Sequence, residues 1–345
     1  MSCSKFENLA NETIMDIFEY LDAVNLYPSF YNLNYRLNAI LNDKRLYISV
    51  DFSSKVNDKQ FHFTCENIIP QIDDRIISCI IAHDYRIYAL ITLFGTFATF
   101  RSLRILTLID ITKKDNLEII LPNLHYLITL NIYTNEIDNE TVINDICALI
   151  LSKKLPSLKK CSLSFCNNCV FKDVTKCDVE HLTIGWCSVA DLIHLLHHTP
   201  TLKTLIIRYL CNYDYSTLKD TNLILKEVNL FLYCVPFNNI ELLVKCMPLL
   251  SILKIKGQLD DTNYTDAQQW EPLLSASLEH LRIFSLNITV ITSSLNTTNI
   301  IEKFGTDFWT LQWNLSITCR YSRSLILSLT GERDPTKYLN KTRLE

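Results

Sequence analysis

The sequence predicts an α/β protein in which a small N-terminal three-helix module precedes a repeat solenoid, a horseshoe with parallel strands on its concave face and helices on its convex face. Three observations predict this fold. Apolar residues have helical spacing in the first forty positions, a short apolar motif recurs through residues 76–290, and apolar stretches at helical spacing separate its copies. Among the 345 residues, 48% are hydrophobic and 20% charged, so the chain is expected to fold over nearly its whole length.

The N-terminal module is predicted from the periodicity of residues 11–41. The first helix, with Asn11 as its N-cap, has an apolar face formed by Ile14, Ile17, Phe18 and Leu21. A second, short helix is expected to begin near Leu26, because Pro28 is acceptable only in a first turn. A third helix carries Leu33, Leu37, Ile40 and Leu41. Because a unit of this size cannot bury all these side chains, we expect some of them to contact a partner. The alternative is that the helices form a cap on the first repeat.

Residues 9–22, Leu-Ala-Asn-Glu-Thr-Ile-Met-Asp-Ile-Phe-Glu-Tyr-Leu-Asp, together with Leu26 and residues 33–37, resemble an F-box. The family pattern opens Leu-Pro-x-Glu and continues Ile-Phe-x-x-Leu; Ala10 stands at the usual proline, and the later tryptophan has no clear equivalent near Arg36. The resemblance implies a module over residues 5–45 that docks onto a Skp-type adaptor and through it onto a cullin. The adaptor-contacting or module-forming residues that we select are Leu9, Ile14, Ile17, Phe18, Leu21, Leu26 and Phe30.

The pattern Leu-x-x-Leu-x-Leu, with Ile, Val or Cys substituting, marks the repeats. It begins at residues 103, 127, 158, 179, 202, 225, 250 and 278, and a weaker copy is Ile76-Cys79-Ile81. These eight or nine copies, about 20 to 30 residues apart, predict a leucine-rich-repeat solenoid over residues 76–290. Each copy predicts a half-buried strand, and prolines at 122, 156, 200 and 248 mark where a helix ends before the next strand.

The segments outside the repeats have their own predictions. Residues 46–75 are expected to form a linker or first cap. Alternation in residues 291–330, as in Leu325-Leu327-Leu329, predicts strands that close the array. The charged residues 331–345 are expected to form a flexible tail. An Asn or Cys position after the strand is filled by Asn135, Cys166 and Cys187.

Composition narrows the function classes. A net charge of -4 and a pI near 6.1 argue against nucleic-acid binding. The first residues lack a signal-peptide pattern, and no apolar run is long enough to span a membrane, so a cytoplasmic or nuclear protein is expected. In such a compartment the 13 cysteines are expected to be free thiols.

Catalytic motifs and cofactor sites are not predicted. Only five glycines occur, and they are too far apart in the sequence to form a phosphate-binding loop or a dinucleotide-binding fingerprint. The residues Cys166, Cys169, Cys177 and His181 have ligand types for zinc, as do His194, His197 and His198, but repeat packing and the helix C-terminus explain them more simply. A metal-dependent enzyme stays as an alternative that predicts stoichiometric zinc.

The predicted strands carry a basic and aromatic surface. The residues expected to bind a protein substrate on the concave face are Tyr133, Arg208, Phe231, Lys254, Lys256, Arg282 and Phe284. The F-box resemblance implies a non-catalytic substrate-recognition subunit of an SCF-type ubiquitin ligase, whose repeats would hold the substrate. The alternative is a leucine-rich-repeat scaffold with a helical cap and no link to ubiquitin.

Overall fold

The computed structural model describes residues 6–95, 97–134, 139–211, 223–291, 297–313, 315–321 and 324–333. The chain divides into two compact units, Met1–Ile137 with Lys153–Ser162, and Asp138–Ser152 with Leu163–Glu345. Strands alternate with helices in both units and are mostly parallel, so the predicted α/β class is confirmed. Within the described ranges, no helix is long and apolar enough to cross a membrane.

The first unit is a parallel sheet preceded by three helices. Its helices are α1 (Asn11–Glu19), α2 (Ala23–Phe30), α3 (Tyr35–Leu41), α4 (Asp58–Asn67), α5 (Ile69–Ile72), α6 (Asp84–Phe94) and α7 (Lys114–Ile120), and its strands are β1 (Ile48–Phe52), β2 (Ile76–Ala82), β3 (Ile105–Ile109) and β4 (Thr129–Thr134). The four strands lie side by side in chain order. Their register aligns buried residues in columns across the sheet, such as Val50, Cys79, Leu106 and Leu130.

The three N-terminal helices form in the predicted order, but several predicted boundaries are wrong. Leu21 and Leu33, predicted to lie in the first and third helices, fall outside α1 and α3. Ala10, not Asn11, is the N-cap of α1, and it forms no side-chain cap. Helix α2 begins at Ala23 because the Asp22 carboxylate accepts hydrogen bonds from the backbone N–H groups of Val24 and Asn25. Pro28 therefore lies inside α2. Because proline has no backbone N–H, this eight-residue helix loses one backbone hydrogen bond.

Residues 46–75 contain regular structure that the motif search did not predict. Strand β1 extends the sheet by pairing with β2, and α4 begins with a capping box between Asn57 and Gln60. The buried Arg86 guanidinium holds the β1–α4 connection by donating to the backbone carbonyls of Phe52, Ser53 and Val56. The parallel sheet therefore begins at Ile48, ahead of the first predicted repeat.

The second unit continues the alternation of strands and helices. Its elements are α8 (Glu140–Ile150), β5 (Lys160–Asn168, whose first three residues belong to the first unit), β6 (His181–Ser188), α9 (Val189–His198), β7 (Thr204–Cys211), β8 (Glu227–Tyr233), α10 (Phe237–Lys245), β9 (Ile252–Leu259), α11 (Ala267–Pro272), β10 (Ile283–Val290), α12 (Thr297–Lys303), β11 (Ser316–Tyr321) and β12 (Leu325–Glu332). Strands β6 to β10 are parallel neighbours in chain order. The predicted closing strands are antiparallel: β12 pairs with β10, and β11 pairs with β12.

The last repeat has a different register from the one predicted. Phe284 aligns with Leu253, and Leu286 aligns with Ile255, so the buried motif is Leu281-Phe284-Leu286 and not Leu278-Leu281-Ile283. The buried motif therefore keeps the Leu-x-x-Leu-x-Leu spacing of the other repeats and begins three residues later than predicted, at Leu281. The prediction of Phe284 as a surface residue is therefore wrong, because its side chain is fully buried.

The C-terminal boundary also differs from the prediction. Strand β12 runs to Glu332, so residues 331 and 332 belong to the sheet and not to a tail. Gly331 pairs with Phe284, and a Cβ at this position would lie 2.8 Å from the backbone oxygen of Trp313. Glycine is thus required for close packing here. The rest of the predicted tail, residues 334–345, and Asn135 lie outside the described residues.

Candidate functional site

The seven residues selected in the N-terminal helices divide into two groups. Ile14, Phe18 and Leu26 are fully buried in the interior of the first unit. The partly exposed residues are Leu9, Ile17, Leu21 and Phe30. The sequence predicted this set without separating core from contact residues, and only tertiary packing separates them.

A buried arginine ties these helices to the first unit. The Arg75 guanidinium donates to the backbone oxygens of Leu41 at 2.8 Å and Asp43 at 3.0 Å, and lies 3.4 Å from the Tyr27 hydroxyl. Burial raises the pKa of Tyr27, and the nearby Arg75 charge partly offsets this effect. Because the chain passes from α3 into β1 through this contact, the helices pack as part of the first unit.

Large apolar side chains nevertheless remain exposed on the N-terminal helices. Tyr20, Leu33 and Tyr35 are 91%, 63% and 90% exposed. A groove of about 490 Å³ runs between α1 and α3, and it is lined by Glu12, Met15, Asp16, Tyr35, Ala39 and Arg45 among others. Sequence periodicity missed Tyr20 and Tyr35 because they do not fall on a predicted apolar face. It placed Leu33 on the apolar face of the third helix, whereas Leu33 precedes α3 and is exposed.

The groove between α1 and α3 is shaped by polar contacts. The Arg36 guanidinium donates to the Asn11 side-chain oxygen at 2.7 Å and to the Leu9 carbonyl at 2.5 Å, which fixes the N-terminus of α3 against that of α1. At the other end, hydrogen bonds from Arg45 lower the pKa of Asp43 to about 2. The groove thus combines apolar, acidic and basic groups.

The second unit presents a strand face, which we define as the side of β6–β10 that bears the half-buried and exposed residues. Four predicted substrate-binding residues lie on it: Arg208 of β7, Phe231 of β8, and Lys254 and Lys256 of β9. Phe231 is the register partner of Lys256. Arg208, Lys254 and Lys256, the cation group, form no ion pair with any described residue.

An aromatic ladder on the strand face consists of Trp186, Tyr209 and Phe231. The Trp186 and Tyr209 rings stack with centroids 4.4 Å apart at 15°, and the Tyr209 and Phe231 rings follow at 5.0 Å and 56°. The sequence analysis missed Trp186 and Tyr209, because Arg208 and Tyr209 form a bulge opposite the single residue Phe231. The sequence signal for this bulge is that two residues, and not one, separate the apolar Ile207 from the apolar Leu210.

The remaining predicted surface residues lie elsewhere. Tyr133 is half-buried on β4 of the first unit. Arg282 precedes β10 and is exposed, and with Lys226 it lines an open cleft of about 940 Å³ where β8–β10 begin. Phe284 is in the core. The strand face therefore contains four of the seven predicted residues.

The cysteine and histidine clusters were the candidate zinc ligands of the sequence. Among the described residues, no group of three or more Cys, His, Asp or Glu side chains is arranged to hold a metal ion. Burial raises the pKa of the Cys177 and Cys187 thiols, which favours their neutral form. His198 hydrogen-bonds through Nδ1 to the backbone oxygen of His194, and the two rings stack at the end of α9. All cysteines in the described part of the chain are free thiols.

Comparisons with protein-family models and with curated proteins gave no match to this chain.

Proposed function

We propose that this protein is a non-catalytic substrate-recognition subunit of an SCF-type ubiquitin ligase. Its N-terminal F-box-like helices bind a Skp-type adaptor and thereby a cullin, and its leucine-rich repeats bind a protein substrate. The observation that carries the proposal is the exposure of Tyr20, Leu33 and Tyr35 on the segment that resembles an F-box. It operates in the cytoplasm or nucleus, where the free thiols stay reduced.

Exposure of large apolar side chains argues for a partner on these helices. Contiguous apolar surface on a soluble protein marks an interaction site, whereas single exposed apolar residues are ordinary. Tyr20, Leu33 and Tyr35 occur within sixteen consecutive positions, together with the partly exposed Leu9 and Ile17. A helix pair that served only as a cap would turn such side chains toward the repeats it covers.

The division of labour follows from burial. Ile14, Phe18 and Leu26 hold the helices together and onto the first unit, and the exposed residues contact the adaptor. The strand face of the second unit binds the substrate through the aromatic ladder and the cation group. The protein performs no chemistry itself; it raises the effective concentration of substrate lysines near the ubiquitin carrier.

One observation favours the alternative of a scaffold with a helical cap. Arg75 fastens α2 and the end of α3 to the first unit, and Ile14, Phe18 and Leu26 are buried against the chain itself, as a cap requires. The ligase subunit and the scaffold differ in whether the exposed surface of the N-terminal helices binds an adaptor.

A pull-down with purified Skp-type adaptor tests the proposal. The full chain is compared with a Leu33→Glu/Tyr35→Glu variant, which changes exposed residues and leaves the interior intact. The matched control is Tyr88→Glu/Leu93→Glu, which makes the same two kinds of substitution on α6. Tyr88 and Leu93 are 67% and 48% exposed. Substitution of Phe18 is avoided because this fully buried residue supports folding.

We expect the parent chain and the α6 control to bind the adaptor and the Leu33/Tyr35 variant to lose at least tenfold in affinity. Circular dichroism establishes that all three chains are folded. If the folded parent fails to bind, the ubiquitin ligase proposal is abandoned for the scaffold. Equal loss in the α6 control would show that the effect is not specific to the F-box-like surface.

A further inference from the structure

The aromatic ladder contains one stacked pair of rings. Trp186 and Tyr209 stack within 15°, so each ring covers one face of the other against a nucleic-acid base. Tyr209 is 37% exposed, and the edge of an aromatic ring carries partial positive charge. Neither the Trp186 indole N–H nor the Tyr209 hydroxyl donates a hydrogen bond to another described residue.

The cation group extends this positive character on both sides of Phe231. Arg208 lies beside Phe231 in the bulge of β7, and Lys256 is the register partner of Phe231 on β9. Lys254 lies two residues earlier on the same face of β9. The nearest carboxylate on β8, that of Glu227, accepts a hydrogen bond from the Asn229 side chain at 3.1 Å. The strand face at Phe231 is thus an apolar centre between cations that form no ion pair with a described residue.

The spacing of the cations indicates more than one anionic group in the ligand. Strands β7 and β9 are two strand spacings apart, about 9.5 Å, and Lys254 and Lys256 are about 6.7 Å apart along their strand. A single phosphate would require donors that converge on one point. In an extended peptide, side chains that point the same way recur about every 6.7 Å, so an acidic–x–apolar–x–acidic segment places its carboxylates about 13 Å apart. The long Arg and Lys side chains cover the difference from the strand spacing.

From this arrangement we infer that the strand face binds an extended acidic peptide, whose apolar residue packs on Phe231 and Tyr209 while flanking carboxylates pair with Arg208 and with Lys254 or Lys256. The inference rests on the proposed function in one respect, because it takes this peptide to belong to the substrate. Charge complementarity determines the choice: the cations are unpaired among described residues, and anions are the groups they lack.

Fluorescence anisotropy of the full chain tests the inference with a labelled peptide, Gly-Ser-Glu-Ser-Phe-Ser-Glu-Ser-Gly. A second peptide has Gln at both Glu positions, and a 12-nucleotide oligouridine is the third probe. The variant Arg208→Glu/Lys256→Glu reverses two charges on the strand face, and Lys172→Glu/Lys176→Glu is the matched control at exposed positions of the same unit. The Gln peptide and a salt series use the unchanged chain, so they test the inference even if a variant unfolds.

We expect the acidic peptide to bind about tenfold more tightly than its Gln counterpart, to weaken with salt, and to lose about tenfold in the Arg208/Lys256 variant alone. Equal binding of both peptides, or tighter binding of oligouridine, overturns the inference. Loss in the Lys172/Lys176 control would do the same, since the effect would then follow net charge only. Adaptor binding is measured on the same samples, so peptide failure with adaptor binding retained refutes the acidic ligand and leaves the proposed function standing.

Discussion

Truncation of Phe284 to alanine is expected to destabilise the second unit severely. The side chain is fully buried and packs against three tryptophans, with ring centroids 5.2 Å from Trp270 and 6.2 Å from both Trp309 and Trp313. Its cross-strand partner on β12 is Gly331, which has no side chain to fill a vacated space. The cavity left by the phenyl ring is therefore expected to persist.

The magnitude follows from this environment. Phe→Ala in a close-packed core costs about 3 to 5 kcal/mol, as lost transfer free energy plus a cavity term. Ile283, the preceding residue, lies on the opposite face of β10 and is only half-buried. Ile283→Ala is expected to cost about 1 kcal/mol, because roughly half of an isoleucine's burial is lost. The leucine pattern of the sequence predicted the reverse order, with Ile283 inside and Phe284 outside.

Urea unfolding followed by tryptophan fluorescence distinguishes the two registers. Three of the chain's four tryptophans lie around Phe284, so fluorescence reports on this part of the core. Midpoints are compared because a chain of two units need not unfold in one step. We expect Phe284→Ala to lower the midpoint by about 1 M or more and Ile283→Ala by much less. A larger shift for Ile283→Ala would refute the register and the core assignment derived from it.

Two further predictions concern the connection of the N-terminal helices to the first unit. Arg75→Met removes charged hydrogen bonds to the carbonyls of Leu41 and Asp43 and is expected to cost about 2 to 4 kcal/mol, measured as a lower melting temperature; unchanged melting would contradict the role of Arg75. The exposed Arg45→Met should leave melting nearly unaltered. It should, however, raise the pKa of Asp43 from about 2 toward 3.8 in an NMR titration of the carboxyl carbon, because Arg45 is the main cause of the depression. Since the folded pKa is lowered, the Arg45–Asp43 contribution is present above pH 3.8 and is lost as the pH falls through about 2; an unmoved titration would exclude Arg45 as the cause.

Local periodicity in the sequence was sufficient to predict which segments form helices and which form strands. A residue that recurs at positions three or four apart, such as Ile14 and Phe18, defines a helix face by geometry alone, and alternation such as Leu106-x-Leu108 defines a strand face. Because each repeat packs mainly on its neighbours, the predicted columns of buried residues needed no long-range information. The repeat strands from Cys79 to Ile255 accordingly have the predicted buried residues.

Side-chain burial at positions where two registers are both apolar was decided by the tertiary structure. In Leu-x-x-Leu-x-Ile-Phe-x-Leu both Ile283 and Phe284 satisfy an apolar pattern, and the pairing of β10 with β9 and β12 selects Phe284 for the core. Likewise, the bulge at Arg208 and Tyr209 turns two consecutive side chains to one face, which simple alternation forbids.

The candidate site shows the same division. The sequence by itself determined the helices, the repeat strands and a basic, aromatic character for the strand face, because these follow from spacing and composition within about thirty residues. Only the tertiary structure brought Trp186, Tyr209 and Phe231 from three different repeats into one ladder, and only it left Tyr20 and Tyr35 exposed while burying Phe18. The physical reason is that cross-strand register and packing depend on residues far apart in the chain, whose contacts no local pattern records.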